Sequence, residues 1–123
     1  MPKRESLKID FNKRQVKGVF KVYNFIDHGS FVVYIPSLNL TSYGDNKGEA
    51  VKSLFEVIVG DFFDNLLVMP EYRITEELKK LGWQRGRVMR KKFEQTVYVD
   101  KDGVLKNFNL KEETVINEEI MAV

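Results

Sequence analysis

The chain has 123 residues, 43% of them hydrophobic and 31% charged, which suits one globular domain with a closed core and is too little for two. Its 20 Lys and Arg stand against 18 Asp and Glu, so the formal net charge of +2 does not by itself announce a polyanion partner, and any basic patch must be local. The lack of cysteine excludes disulfides, thiolate catalysis and zinc–thiolate sites and suits a reducing cytosol, so a cytoplasmic location is expected.

In chain order, Met1-Pro2-Lys3-Arg4-Glu5 is basic but no long apolar run follows it, so neither a signal peptide nor a membrane span is expected. Leu7, Ile9 and Phe11 alternate with Lys8 and Asp10 as in a short strand, which the polar run Asn12 to Gln15 breaks. Val16 to Ile26 and Phe31 to Ile35 are rich in β-branched and aromatic residues, and Asp27-His28-Gly29-Ser30 between them has turn chemistry, so the two read as a β-hairpin. Pro36 ends the second strand, and Leu38 to Tyr43 offers a third.

Asn46 with Glu49 three residues later resembles a capping box and starts a helix. Ala50, Val51, Leu54, Phe55, Ile58, Phe62 and Leu66 follow at three- and four-residue steps, predicting a core face carried by Leu54, Phe55, Ile58 and Phe62. Met69-Pro70 stops this helix. Thr75 can cap a shorter one that runs to Gly82, a left-handed stop. Beyond Arg87 the chain reads as extended, with Val97 to Val99 and Val104 to Leu110 joined through an Asp100-Lys101-Asp102-Gly103 turn as a C-terminal hairpin. The expected fold is α+β: a three-stranded antiparallel sheet, one long and one short helix packed on it, and that hairpin.

Little in the chain suggests chemistry. His28 is the single histidine, placed in a turn without an evident partner for acid–base work, and no serine has a nucleophile-elbow setting. Asp100 to Val104 resembles the middle of a calcium loop, but aligning Gly103 with that loop's glycine puts Tyr98 and Asn109 where carboxylates belong. Asp61, Asp64, Glu71, Glu76 and Glu77 read as solvated surface. No catalytic residue, metal or cofactor is expected. One local cluster interleaves cations and aromatics: Trp83, Arg85, Arg87, Arg90, Lys91 and Lys92, followed by Phe93. Such a segment, 83–93, can grip phosphates and stack on bases, which makes it a candidate nucleic-acid contact; the alternative is a charged strand edge that discourages unwanted pairing.

The stretch FVVYIPSLNLTSYGDNKGEAVKSLFEVI, from Phe31 to Ile58, resembles the HicB antitoxin family, in which a β-hairpin and a proline-ended strand lead through a glycine-marked short strand into a helix beginning near Glu-Ala. Pro36, Gly44, Asn46, Glu49 and Ala50 carry the likeness, and ELKKLGW (Glu77 to Trp83) adds to it. The resemblance implies a degraded RNase H-like domain with its core in 16–83 and an extension in 84–123. It further implies a non-catalytic protein that neutralises a HicA-like ribonuclease toxin by covering it, or an orphan that keeps the fold without a toxin partner. Where the family commonly ends in a DNA-binding module, Val104 to Val123 is too short and irregular for one. A homodimer built partly from the C-terminal hairpin is expected, because Val97, Val99, Val104, Leu105 and Phe108 need cover.

Overall fold

The computed structural model describes residues 5–123, so the basic residues Met1 to Arg4 lie outside the described part. Its strands are β1 (Ser6–Asp10), β2 (Gln15–Asp27), β3 (Ser30–Ile35), β4 (Leu40–Gly44), β5 (Trp83–Arg85), β6 (Lys92–Gln95) and β7 (Asn117–Ala122). The helices are α1 (Lys47–Ser53), α2 (Val59–Leu67), α3 (Glu71–Lys80) and α4 (Lys101–Asn107). A mixed α+β fold is therefore present, but the sheet has seven strands where three were expected.

All strand pairs are antiparallel, and pairing follows the path β4-β3-β2-β1-β6-β5, with β7 also on β2. Backbone groups of an antiparallel strand alternate between its two edges. The Ile9 N–H donates to Lys91 O, so Leu7 and Ile9 face β6 while Lys8 and its even-numbered neighbours face the odd-numbered residues of β2. The two-residue turn His28-Gly29 closes on the Asp27–Ser30 pair, so odd-numbered residues of β2 face β3 as well. Gly18 O accepts from Val123 N, which turns the even-numbered residues toward β7. Thus β1 and β3 lie end to end along one edge of the long β2, and β7 runs along the other.

The polar run Asn12 to Gln15 does not end the sheet; it turns it. Asp10 Oδ1 accepts from the backbone N–H of Asn12 (3.1 Å) and Lys13 (3.0 Å), and Arg14 takes a positive φ of 54°. This Asx-type turn joins β1 to β2 as a second hairpin.

The side chains of the sheet's two faces have different fates. Leu7, Ile9, Phe20, Val22, Val33, Ile35, Trp83 and Phe93 point to the side covered by α1, α2 and α3 and make the main core with Leu54, Ile74 and Leu78. On the opposite face, Tyr23, Phe25, Val32 and Tyr34 form a second core under α4, closed by Val104 and Ile116, with Phe108 set edge-on to Phe25 at 5.1 Å and to Tyr34 at 4.8 Å. α4 covers only this end of that face.

Three expectations change. Between α1 and α2, Leu54–Ile58 form a π-helical turn in which the Val59 N–H reaches Leu54 O, five residues back. The extra residue rotates everything downstream, so the buried series is Ala50, Leu54, Val59, Phe63 and Leu66, while Phe55, Ile58 and Phe62 are half-buried at its margin. Second, α3 starts after Pro70, and Thr75 lies inside it with its hydroxyl donating to Glu71 O; Gly82 does take the left-handed stop at φ 91°. Third, the C-terminal hairpin does not form. Asp100 Oδ1 accepts from Gly103 N at 2.8 Å and caps α4, so Val104 to Asn107 is helical, because Asp-x-x-Gly serves a helix start as well as a turn. Val104 is buried and Val99, Leu105 and Phe108 pack in the second core, so of the five residues on which the hairpin dimer was argued Val97 alone stays exposed. Residues 84–123 extend the one sheet through β6 and β7.

Candidate binding face on the open half of the sheet

The segment 83–93 is divided by the fold. Trp83 is buried, its indole N–H donating to Ser37 O at 2.8 Å and its ring edge-on to Phe20 at 5.9 Å. Arg85 has a side chain only 10% exposed; it pairs with Glu71 at 3.3 Å, donates to Arg90 O at 2.6 Å and lies 4.5 Å over the Phe11 ring. Both side chains are engaged within the fold. Arg87 and Arg90 are exposed in the tight turn between β5 and β6, where Gly86 is required because a Cβ would stand 2.6 Å from Met89 O. Lys91 pairs with Asp10 at 3.3 Å. Lys92 stands on β6 and joins a different set.

That set lies on the half of the sheet face left bare by α4. The register puts Lys17 directly opposite Lys8 and Lys8 directly opposite Lys92, so three exposed ammonium groups cross three adjacent strands in one row. Their neighbours along the strands, Leu7, Ile9 and Phe93, point the other way into the core, as strand alternation demands. Among the described residues none of the three lysines has a carboxylate within ion-pair distance. Beside the row is a concavity of about 560 Å³ lined by Val19, Ala122 and Tyr98 as well as the lysines, with Glu5 and Glu94 as its acidic members. Tyr98 is 68% exposed, and Lys21 Nζ lies 5.5 Å from its ring centre.

Glu5 marks the point where β1 and β3 meet on β2. Its Oε2 accepts from the Ser37 hydroxyl at 2.5 Å and from Lys21 N at 3.2 Å. Burial pushes its carboxyl above the usual range, opposed by those two hydrogen bonds and the Lys21 charge. Nearby, burial and the Glu118 carboxylate push the Tyr23 phenol up to about 12, and its hydroxyl donates to Val99 O at 2.8 Å.

Of the five residues that carry the family likeness, Gly44, Asn46, Glu49 and Ala50 sit together at the β4–α1 junction, while Pro36 lies at the other end of β4. Pro36 opens a 3₁₀ turn, Asn46 Oδ1 accepts from Glu49 N at 2.9 Å, and Glu49 Oε2 accepts from Asp45 N at 3.1 Å. Ala50 is fully buried against Gly44, where a Cβ would come within 2.7 Å of Ala50 N. The glycine and the alanine are thus two halves of one close contact between strand and helix. His28 has a side chain 94% exposed and contacts Asp27 at 2.9 Å. Among the described residues no group of three or more His, Asp or Glu is placed to hold a metal, and no helix is long and apolar enough to cross a membrane. Comparison with models of protein families, with curated proteins and with solved structures found no match.

Lys8 and Lys17 are invisible as a site in the sequence. Their signal is the hairpin register around Phe11 to Arg14, which becomes readable only when that polar run is taken as a turn.

Proposed function

We propose that the chain is a non-catalytic, HicB-like binding protein that neutralises a small HicA-like ribonuclease by covering it. The observation that carries this reading is the β2-β3-β4-α1 unit, in which Pro36, Gly44, Asn46, Glu49 and Ala50 each have a structural task at the spacing that the resemblance rests on. Charge distribution supports it as well. Glu56, Asp61 and Asp64 are exposed along the outer side of the long helical stretch, with Val57 53% exposed among them, and none has an ion-pair partner among the described residues. An acidic helix surface with an apolar member suits a basic ribonuclease despite the chain's net charge of +2, because complementarity is set patch by patch.

The test is co-expression with a toxin-sized reading frame encoded beside this chain's gene. Relief of growth arrest and co-purification of the two proteins are expected, both weakened by the pair Asp61→Lys and Asp64→Lys. A neighbouring ribonuclease that still arrests growth in the presence of soluble, folded chain would overturn the reading.

A further inference from the structure

We propose that the open half of the sheet binds a single-stranded nucleic acid, with Lys17, Lys8 and Lys92 on its phosphates and Tyr98 beside its bases. The inference is independent of the HicB-like reading and holds equally for a chain with no toxin partner.

Like charges set directly opposite on neighbouring strands repel and destabilise the sheet. Elsewhere lysines of the sheet and its turns reach a carboxylate diagonally across the strands: Lys21 pairs with Glu118 at 3.4 Å and Lys91 with Asp10 at 3.3 Å. The row of Lys17, Lys8 and Lys92 is uncompensated, and edge protection does not explain all of it. β1 lies between β2 and β6, and β6 lies between β1 and β5, so Lys8 and Lys92 stand in the interior of the sheet, while Lys17 lies on β2 just beyond its pairing with β7. Two interior like charges that cost stability and guard no edge, with a third in line, are best accounted for by an anionic partner.

The geometry selects the kind of anion. Strands are about 4.8 Å apart, so the row spans roughly 10 Å. At about 3.4 Å of rise per stacked nucleotide, that span covers about three nucleotide steps, within which each lysine can meet a phosphate. Next to the row, Val19 and Ala122 give an apolar floor and Tyr98 an exposed ring, surfaces that accept unpaired bases and that a duplex, with its base faces hidden, cannot use. Glu94 and Glu5 also line the concavity, where their charges disfavour phosphates and leave the lysine row as the place for the backbone; Glu5 is in addition engaged by Ser37 and Lys21 N.

Fluorescence anisotropy of a labelled twelve-nucleotide single strand, titrated with the full chain between 50 and 200 mM salt, tests this. Three phosphate contacts on a single strand predict a log–log salt slope near −2, or about a fifteenfold loss of affinity over that range. The triple variant Lys8→Gln, Lys17→Gln, Lys92→Gln should lose at least tenfold in affinity and most of the slope. Its denaturation midpoint should equal or exceed that of the native chain, since the repulsion is gone. Tyr98→Ala should weaken binding several-fold with the slope unchanged. The proposal fails if no binding occurs at 50 mM salt, or if duplex or polyglutamate competes as well as the single strand. It also fails if Arg87→Gln with Arg90→Gln abolishes binding while the triple lysine variant binds normally.

Discussion

The π-helical turn at Leu54–Ile58 makes a sharp distinction between two adjacent aliphatic side chains. A regular helix from Lys47 to Leu67 would aim Ile58 at the sheet, four residues after Leu54; the extra residue instead buries Val59, which is 1% exposed, and leaves Ile58 half-buried. Val59→Ala removes two carbons from a closed core. At about 0.8 kcal/mol per methylene plus a term for the cavity left behind, the cost is about 2–3 kcal/mol. Ile58→Ala removes three carbons, but from a site that already touches water, and should cost about 1 kcal/mol. Urea denaturation followed by tryptophan fluorescence reads both, since Trp83 lies in the same core. With m near 1–3 kcal/mol/M and unchanged, the Val59 variant should shift its midpoint by roughly 1–2 M, well beyond the Ile58 variant. The same order should hold one turn later, where Phe63→Ala should exceed Phe62→Ala. If Ile58→Ala proves the costlier of the first pair, the helix is regular and Ile58, not Val59, faces the sheet.

Trp83→Phe keeps most of the core volume but leaves Ser37 O without its donor, and should cost about 1–3 kcal/mol in urea denaturation followed by far-UV circular dichroism, since the chain's single tryptophan is gone; a neutral result would mean that water replaces the indole there. Asp100→Ala removes the cap of α4 and should cost about 0.5–2 kcal/mol, with faster amide exchange from Val104 to Asn107; unchanged exchange would contradict a capped helix at this place. Glu5 has a folded-state value raised above its unfolded one, so its contribution to stability is fully present below about pH 4.3 and is lost as pH rises through the folded value. The native chain should therefore lose stability relative to Glu5→Gln across that window, and a relative gain would show that hydrogen bonding outweighs burial at this carboxyl.

How much the sequence discloses depends on whether local chemistry has one meaning or two. The His28-Gly29 turn, the Asn46 cap and the Gly82 stop are legible because positive φ and side-chain capping leave few alternatives. Asp100-Lys101-Asp102-Gly103 is misleading because the same residues suit a hairpin turn and a helix N-terminus, and only packing of Val104 and Phe108 beneath the helix decides between them. β7 escapes notice for a different reason. Asn117 to Ala122 has no strong alternation and owes its strand to six residues of β2 waiting on the opposite edge, a long-range cause that no local window contains. The basic segment 83–93 is unusual in composition, and the sequence says so. Its Trp83 and Arg85, however, turn inward to Ser37 O and Glu71, and the lysines left on a shared surface come from strands far apart in the chain.

The proposed reading is that this chain acts by stoichiometric covering of a ribonuclease and performs no chemistry of its own. The most direct measurement titrates purified chain into a purified HicA-like ribonuclease, sought in a toxin-sized reading frame beside its gene, while cleavage of a fluorescent RNA is followed. Cleavage should fall in proportion to added chain, stop at a fixed molar ratio, and return when the complex is separated in denaturant and the ribonuclease is refolded alone. Cleavage that persists at excess chain, or that is abolished by far less than one equivalent, would contradict the account.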